Sequence, residues 1–258
     1  MLTAITKVLL LIFIPLSVLA GCKDISPPIV KLDNNLDPFY QLIRDSQFGS
    51  ARVRLRQYME VNGESSQSLF MMGFSYHQQK RYAKAVEWFT LACNTKTSFY
   101  PATWHFLGWS YYYLGQIDSA KESFHRFLMH LPHEPDSLFA LGLIATELGE
   151  DIEAEMLYRK AIKFSSGGED SQKWAPRIAA KANARLGDLY ALQGELTVAL
   201  ELYDNALELN PELYEVWHRK SLIFQRRGDD LKSTQSRQQF FQIRNIVRPD
   251  LMQTSFPE

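Results

Sequence analysis

Histidine is the residue type in this chain that most readily suggests chemistry, and three lie close together in sequence: His125, His130 and His133. His133-Glu134 begins like the zinc-protease motif H-E-x-x-H, in which two histidines four residues apart on a helix bind the metal. Ser137 stands where the second histidine must be, and Pro135 breaks the required helix. No cysteine or pair of carboxylates nearby completes a metal site. We therefore expect no bound metal and no other cofactor.

Signals for other kinds of catalysis are also missing from the sequence. No G-x-S-x-G nucleophile elbow occurs. Gly167-Gly168 is not followed by the G-x-x-x-x-G-K-[ST] of a phosphate loop. The carboxylates are many but scattered, as expected of solvated helix faces. The sequence favours a binding protein over the competing class, a small hydrolase, which would require polar groups that converge on one site.

Glycines mark a repeating unit that must position any binding residues. Four of them recur at intervals of 35, 34 and 45 residues: Gly73, Gly108, Gly142 and Gly187. The clearest copy reads Trp104-x-x-Leu107-Gly108-x-x-Tyr111, then Ala120-x-x-x-Phe124, then Pro132. Residues four apart share one helix face. Small residues let two helices approach closely, and a proline ends the second helix. The spacing therefore predicts a series of helix pairs.

This pattern resembles the tetratricopeptide repeat, W-x2-L-G-x2-Y…A-x3-F…P, which has a period of 34 residues. The resemblance implies an all-α fold, a right-handed α-solenoid of about five to six helix pairs over residues 37–248, because stacked pairs bury apolar faces that one pair cannot. We expect Gly115 and Gly194 just past the ends of first helices. The interval of 45 residues from Gly142 to Gly187 exceeds the period by 11 residues, and an insert near residues 164–174 supplies most of them. Pro176 is expected in the first turn of a lengthened helix.

In tetratricopeptide proteins the first helix of each pair lines a concave groove that binds a protein or peptide. Carrying those positions over gives an unusually aromatic front half with nine candidate groove residues: Phe70, Phe74, His77, His105, Phe106, Trp109, Tyr112, Tyr113 and Phe139. The groove positions that follow make the back half polar: Leu143, Arg185, Asp188, His218, Leu222 and Arg226. Aromatic side chains suit peptide contacts because they bury a large area at low entropic cost. Packing of several rings between repeats is the alternative. Members that bind a peptide's terminal carboxylate use lysine and asparagine at these positions, so an acidic peptide C-terminus is not expected.

The C-terminal part of the chain is basic. Residues Trp217 to Arg248 contain eight Lys/Arg and two Asp/Glu. The arginines of this candidate basic patch are Arg219, Arg226, Arg227, Arg237 and Arg244. A solvated face on a capping helix explains the pattern, and contact with anionic lipid headgroups or an acidic partner is the alternative. A tail, residues 249–258, follows.

The N-terminus resembles a bacterial lipoprotein signal. Lys7 precedes an apolar run of 13 residues, Val8 to Ala20, which is shorter than the about 20 residues of a membrane-spanning helix. Leu19-Ala20-Gly21-Cys22 is similar to the lipobox, which implies removal of residues 1–21 and diacylation of Cys22. Residues 22–36 would then form a tether. An ordinary cleaved signal and an uncleaved anchor are the alternatives.

Acylation has consequences for the other cysteine and for location. If Cys22 is acylated, Cys93 is the only remaining thiol and no intramolecular disulfide can form. We expect Cys93 to be a small buried residue in a packing helix. Lys23, not aspartate, follows Cys22. In enterobacterial lipoproteins this implies the outer membrane, with the protein facing the periplasm.

Charge and repeats together define the expected function. Without residues 1–21 the chain has 27 Lys/Arg and 29 Asp/Glu, which argues against a nucleic-acid partner because that needs a basic footprint. The sequence predicts a lipid-anchored adaptor for a protein or peptide partner that assists assembly of an envelope complex. It is similar in this respect to the tetratricopeptide lipoproteins of pilus and secretin assembly. A scaffold for cell-wall enzymes and a self-associating structural lipoprotein are the alternatives.

Overall fold

A computed structural model describes residues 33–95, 99–165 and 175–250. These residues form twelve α-helices and one short 3-10 helix, Asn34–Leu36, and contain no strand. The expected all-α fold is confirmed. The predicted signal peptide, Cys22 and most of the tether lie outside the described residues, as do positions 166–174 of the insert and 251–258 of the tail.

The chain divides into two compact units, residues 1–107 and 108–258. Unit 1 contains α1 (Asp37–Arg44), α2 (Phe48–Asn62), α3 (Ser66–Gln78), α4 (Tyr82–Asn94) and the first half of α5 (Ala102–Tyr113). Unit 2 contains the second half of α5, α6 (Ile117–His130), α7 (Pro135–Glu147), α8 (Asp151–Ser165), α9 (Ala175–Leu192), α10 (Leu196–Leu209), α11 (Tyr214–Arg226) and α12 (Asp230–Val247). In both units, consecutive helices pack in pairs, such as α3 with α4 and α9 with α10.

A glycine of the first helix faces a ring of the second helix in four of the pairs. The facing residues are Gly73 and Phe89, Gly108 and Phe124, Gly142 and Tyr158, and Gly187 and Tyr203. Each of these rings is at most 2% exposed. A β-carbon added at any of these glycines would lie within 2.8 Å of the ring. The repeating glycines therefore mark the closest approach of two helices, as their spacing predicts.

Tight turns join the helices of each pair. Gly115 and Gly194 have φ angles of +72° and +87°, a left-handed conformation that glycine adopts without steric cost. Both follow the end of a first helix, as expected, and the amide of Gln116 closes the turn by donating to the carbonyl of Tyr111 at 2.9 Å. The same position in the turn from α3 to α4 is occupied by Lys80, with φ of +59°.

The fifth and sixth pairs depart from the repeat. Helix α9 has 18 residues, compared with 13 in α7, and Pro176 lies in its first turn, as predicted for a lengthened helix. In the last pair Ser221 replaces the glycine, and the Ser233 hydroxyl donates to the Ser221 carbonyl at 3.1 Å. Arg237 stands where four of the other pairs have a ring and is exposed. The contact between α11 and α12 is therefore more polar than the others.

Candidate functional site

An aromatic cluster lies on α1, α3 and the start of α5 in unit 1. Tyr40 stacks on Phe74 with ring centroids 5.9 Å apart, and Phe106 meets Phe74 edge to face at 5.0 Å. Phe70 lies 5.7 Å from Phe106. Phe70 and Phe74 are only 5% and 8% exposed, so their rings mainly contact one another. Of the groove residues predicted in unit 1, His77, His105 and Phe106 retain more exposed surface.

The imidazole of His77 lies against this cluster, 5.4 Å from the Phe106 ring and 5.5 Å from the Tyr82 ring. Burial, followed by repulsion from His105, lowers the pKa of His77 to about 4. The neutral form of His77 is therefore the form that fits the folded protein.

We expect acid to destabilise unit 1 through His77. Since the folded pKa lies below the value of 6.5 for a free imidazole, the unfolded chain binds the extra proton more readily, and stability falls as pH drops from 6.5 towards 4. The loss approaches about 3 kcal/mol below pH 4, at about 1.4 kcal/mol per pKa unit. Urea unfolding at pH 7.5, 5.5 and 4 measures it. His77→Phe should flatten this dependence, whereas the same change at exposed His125 should not; equal slopes for both variants would contradict the assignment.

A cleft of about 390 Å³ lies within unit 2, between the first helices of its repeats. One wall is aromatic and comes from α5 and α7. The indole Nε1 of Trp109 donates to Asp136 at 2.8 Å, and the Tyr112 hydroxyl donates to Glu147. Tyr113 stacks on Trp109 with centroids 5.7 Å apart. Hydrogen bonds to α7 therefore hold two of the rings in fixed orientations.

A second wall is cationic and comes from α9, α11 and Leu213, the residue before α11. It presents Lys181, Arg185 and Arg219, with apolar contributions from Ala184, Leu213 and Val216 and one carboxylate, Glu215. Arg219 Nε lies 3.0 Å from Asp188 Oδ1, and Arg185 Nη1 lies 3.4 Å from Asp188 Oδ2. The two guanidinium groups thus share a single carboxylate.

Two tyrosine hydroxyls donate to carboxylates that adjoin residues of the cleft. The Tyr203 hydroxyl donates to Asp188 Oδ1 at 2.8 Å. Burial, and then the nearby carboxylate, raises the pKa of Tyr203 well above its ordinary value. Burial and the hydrogen bond to Glu147 raise the pKa of Tyr112 in the same way. Both hydroxyls therefore stay protonated and act as hydrogen-bond donors throughout the physiological range.

Four of the predicted groove residues come together in this cleft: Trp109, Tyr112, Tyr113 and Phe139. Their exposures differ, since Tyr113 is 52% exposed and Phe139 only 6%. Lys181 is a cationic residue of the cleft that the sequence analysis did not identify. Its spacing of four residues from Arg185 places both on one face of α9, and this is the signal that could have found it.

The five arginines of the predicted basic patch have different surroundings. Arg219 lines the cleft. Arg227 Nη2 donates to Thr197 Oγ1 at 2.7 Å. Arg244 lies over the rings of Phe240 and Phe241, 5.5 Å and 5.0 Å from their centroids. Arg226 and Arg237 are exposed.

His133 is one of the three histidines that first suggested a metal site. His133 stacks on Phe164, with ring centroids 4.1 Å apart. Within the described residues, no group of three or more His, Cys, Asp or Glu side chains could hold a metal ion. In the same part of the chain, no helix is long and apolar enough to cross a membrane.

Cys93 is buried in α4. It is 4% exposed, as expected of a small residue in a packing helix.

Comparison with known proteins defines the class of this chain. Profiles described as tetratricopeptide repeat match residues 68–95, 107–169 and 180–213. The chain therefore contains tetratricopeptide repeats, which are generally protein–protein interaction modules. The predicted fold class, an all-α solenoid of such helix pairs, is confirmed by its match to solved structures of tetratricopeptide proteins.

Three solved structures illustrate the likeness. PilF of Pseudomonas aeruginosa superimposes with a TM-score of 0.65 at 13% identity, over 83% of this chain and 90% of that one. BtubC from P. vanneervenii has a TM-score of 0.61 at 14% identity, over 85% and 94%. YrrB, described as a TPR protein with an unusual peptide-binding site, has a TM-score of 0.51 at 16% identity, over 77% and 94%. At these identities the likeness concerns the fold. None of the curated proteins matches this sequence.

Proposed function

We propose that the protein is an adaptor, and not an enzyme, that binds an extended segment of a partner protein in the cleft of unit 2. The observation that carries this proposal is the aromatic wall. Trp109 and Tyr112 are held by hydrogen bonds, while the adjacent Tyr113 is half exposed. Rings that are oriented before binding lose little conformational entropy when a partner packs against them.

The two walls suggest the chemistry of the bound segment. An apolar or aromatic side chain would pack on the ring wall, and an acidic side chain would face the cationic wall. Arg185 and Arg219 share Asp188, so their positive charge is only partly compensated. Lys181 is exposed and forms no ion pair among the described residues. Aromatic rings occupy most of the positions at which other family members bind a carboxylate, but α9 and α11 supply cations elsewhere in the cleft. An acidic residue is therefore compatible with the cleft.

Site-specific photo-crosslinking tests the location of the contact. A photoreactive phenylalanine analogue replaces Tyr113 in the full chain expressed in its host, and crosslinked peptides are identified by mass spectrometry. Met129, on α6 and 66% exposed, is the control position. We expect one partner segment, captured at position 113 and displaced by the corresponding synthetic peptide. Equal capture at both positions, or no displacement, would contradict binding in the cleft.

The second part of the proposal is a lipid anchor at Cys22 that places the adaptor in the bacterial envelope, at the outer membrane and facing the periplasm. It is supported by the sequence Leu19-Ala20-Gly21-Cys22 behind a short apolar run. An adaptor tethered in this way would meet its partner at the membrane, where it would assist assembly of an envelope complex.

Cys22→Ser is expected to abolish incorporation of labelled palmitate and to leave a soluble or unprocessed protein. Cys93→Ser is the matched control and should leave labelling unchanged. The intact mass of the wild-type protein distinguishes the alternatives, because a mature chain that starts at Cys22 with acyl chains contains no intramolecular disulfide. A chain that takes up no label and gains the mass of two hydrogens on reduction would contradict the lipid anchor and show an intramolecular disulfide instead.

A further inference from the structure

A buried lysine occupies a core position in the last repeat. The residue directly before each close-packed glycine is apolar and at most 3% exposed: Met72, Leu107, Leu141 and Leu186. In α11 the corresponding residue, directly before Ser221, is Lys220, which is 7% exposed. Lysine is almost never buried without a partner, because removing an ammonium group from water is costly. A charge at this position therefore calls for an explanation beyond packing.

Lys220 has two partners within the protein, and one of them is largely exposed to solvent. Its Nζ donates to Asp204 Oδ1 on α10 and lies 4.8 Å from the centroid of the Trp217 ring. The Asp204 side chain is 62% exposed, so water competes for its carboxylate and screens the ion pair. A stronger or better-placed carboxylate could therefore take the place of Asp204.

A cavity of about 730 Å³ lies beside Lys220, between α11 and α12. This volume is within the range of ligand pockets, about 300–1,000 Å³. Its lining combines two lysines, two aromatic rings and several amides and is formed by Trp217, Lys220, Phe224, Lys232, Gln235, Ser236, Gln238 and Gln239. It occurs in a pair without a buried ring at the repeat position, since Arg237 at that position is exposed.

We propose that this cavity is a second binding site, distinct from the cleft, for an acidic side chain of a peptide. The ammonium groups of Lys220 and Lys232 would receive the carboxylate, and the Trp217 and Phe224 rings would contact the neighbouring apolar atoms. Glutamine side chains both donate and accept hydrogen bonds, which matches the amide groups of a peptide backbone. Inorganic phosphate would engage the two lysines but would leave the rings and the glutamine carbonyls unused.

Two matched peptides test the proposal in the full chain. The probes are acetyl-Phe-Glu-amide and its neutral counterpart acetyl-Phe-Gln-amide, titrated while the indole N–H signal of Trp217 is followed by NMR. The Trp217→Phe variant assigns that signal. We expect the glutamate peptide to shift it and the glutamine peptide to bind at least tenfold more weakly. Equal shifts with the two peptides, or an equal shift with inorganic phosphate alone, would overturn the assignment to an acidic peptide.

Lys220→Met separates binding from folding. Methionine stands at the same position in an earlier repeat, as Met72. The variant should therefore melt at a higher temperature than the wild type, because burying the lysine ammonium is costly and packing an apolar side chain there is not. The same variant should lose the peptide-dependent shift. Lys160→Met, which changes an exposed lysine of α8, should alter neither property. A Lys220→Met protein that still binds the glutamate peptide with wild-type affinity would rule the site out, whatever happens to binding in the cleft.

Discussion

Replacing Gly108 by leucine is expected to lower the free energy of unfolding by about 3 kcal/mol, because the new side chain has no space. A β-carbon at this position would lie 2.8 Å, 2.9 Å and 3.0 Å from three atoms of the Phe124 ring. Phe124 is fully buried, so its ring cannot move aside without displacing the surrounding core. The helix pair must separate to accept leucine, and the contacts along both helices weaken together.

Circular dichroism during thermal and urea unfolding measures this effect. Gly49→Ala is the matched control, because Gly49 lies in α2 and an added β-carbon meets nothing within 4 Å. Alanine favours a helix over glycine by up to about 1 kcal/mol, so this variant should be as stable as the wild type or more so. An unchanged unfolding midpoint for Gly108→Leu would remove the helix-pair assignment at its best-supported position.

The double variant Trp109→Ala/Tyr112→Ala is expected to weaken partner binding by about 30-fold or more. Truncation of a buried aromatic anchor typically costs about 2 kcal/mol or more, and each 1.4 kcal/mol corresponds to about a factor of ten in the dissociation constant. Both rings line the cleft and are held by hydrogen bonds to α7. Isothermal titration calorimetry with the peptide identified by crosslinking at position 113 measures the loss.

Stability controls are needed because Trp109 also packs on Phe124, with ring centroids 5.5 Å apart. The variant should keep its helical circular dichroism spectrum. Tyr113→Ala, which truncates an exposed ring, should reduce affinity without affecting the melt. Arg226→Ala/Arg227→Ala should have a smaller effect that fades at high salt, because exposed charges are screened. If the aromatic variant binds the partner fully and the arginine variant does not, the partner contacts the C-terminal end of the chain and not the aromatic wall.

Local sequence determined the helices and their pairing. The interval from Gly108 to Phe124 is repeated from Gly73 to Phe89, and in both pairs the ring lies on the glycine. Such contacts join residues 16 positions apart and depend on helix geometry, residue size and a short turn, all of which the sequence encodes directly. The lengthened α9 with Pro176 in its first turn was predictable for the same reason.

The sequence could not rank the candidate aromatic residues by exposure. Phe70 and Tyr113 both belong to the first helix of a repeat at positions that the family uses for its groove, yet they are 5% and 52% exposed. Helical periodicity identifies the face on which a residue lies. It does not show how much of that face is covered by residues such as Tyr100, whose ring lies 4.8 Å from Phe70. Burial is set by contacts between elements that are distant in sequence.

The charges of the candidate site were likewise decided only by the tertiary structure. From its position in the chain, Arg219 belonged to a C-terminal basic patch, but stacking of α11 on α10 and its neighbours brings it within 3.0 Å of Asp188 and into the cleft with Lys181. Lys220, the next residue, points to a different side of the same helix and is buried. Adjacent residues on a helix differ in direction by about 100°, so the partners that each one meets depend on how the helices stack and not on the sequence around it.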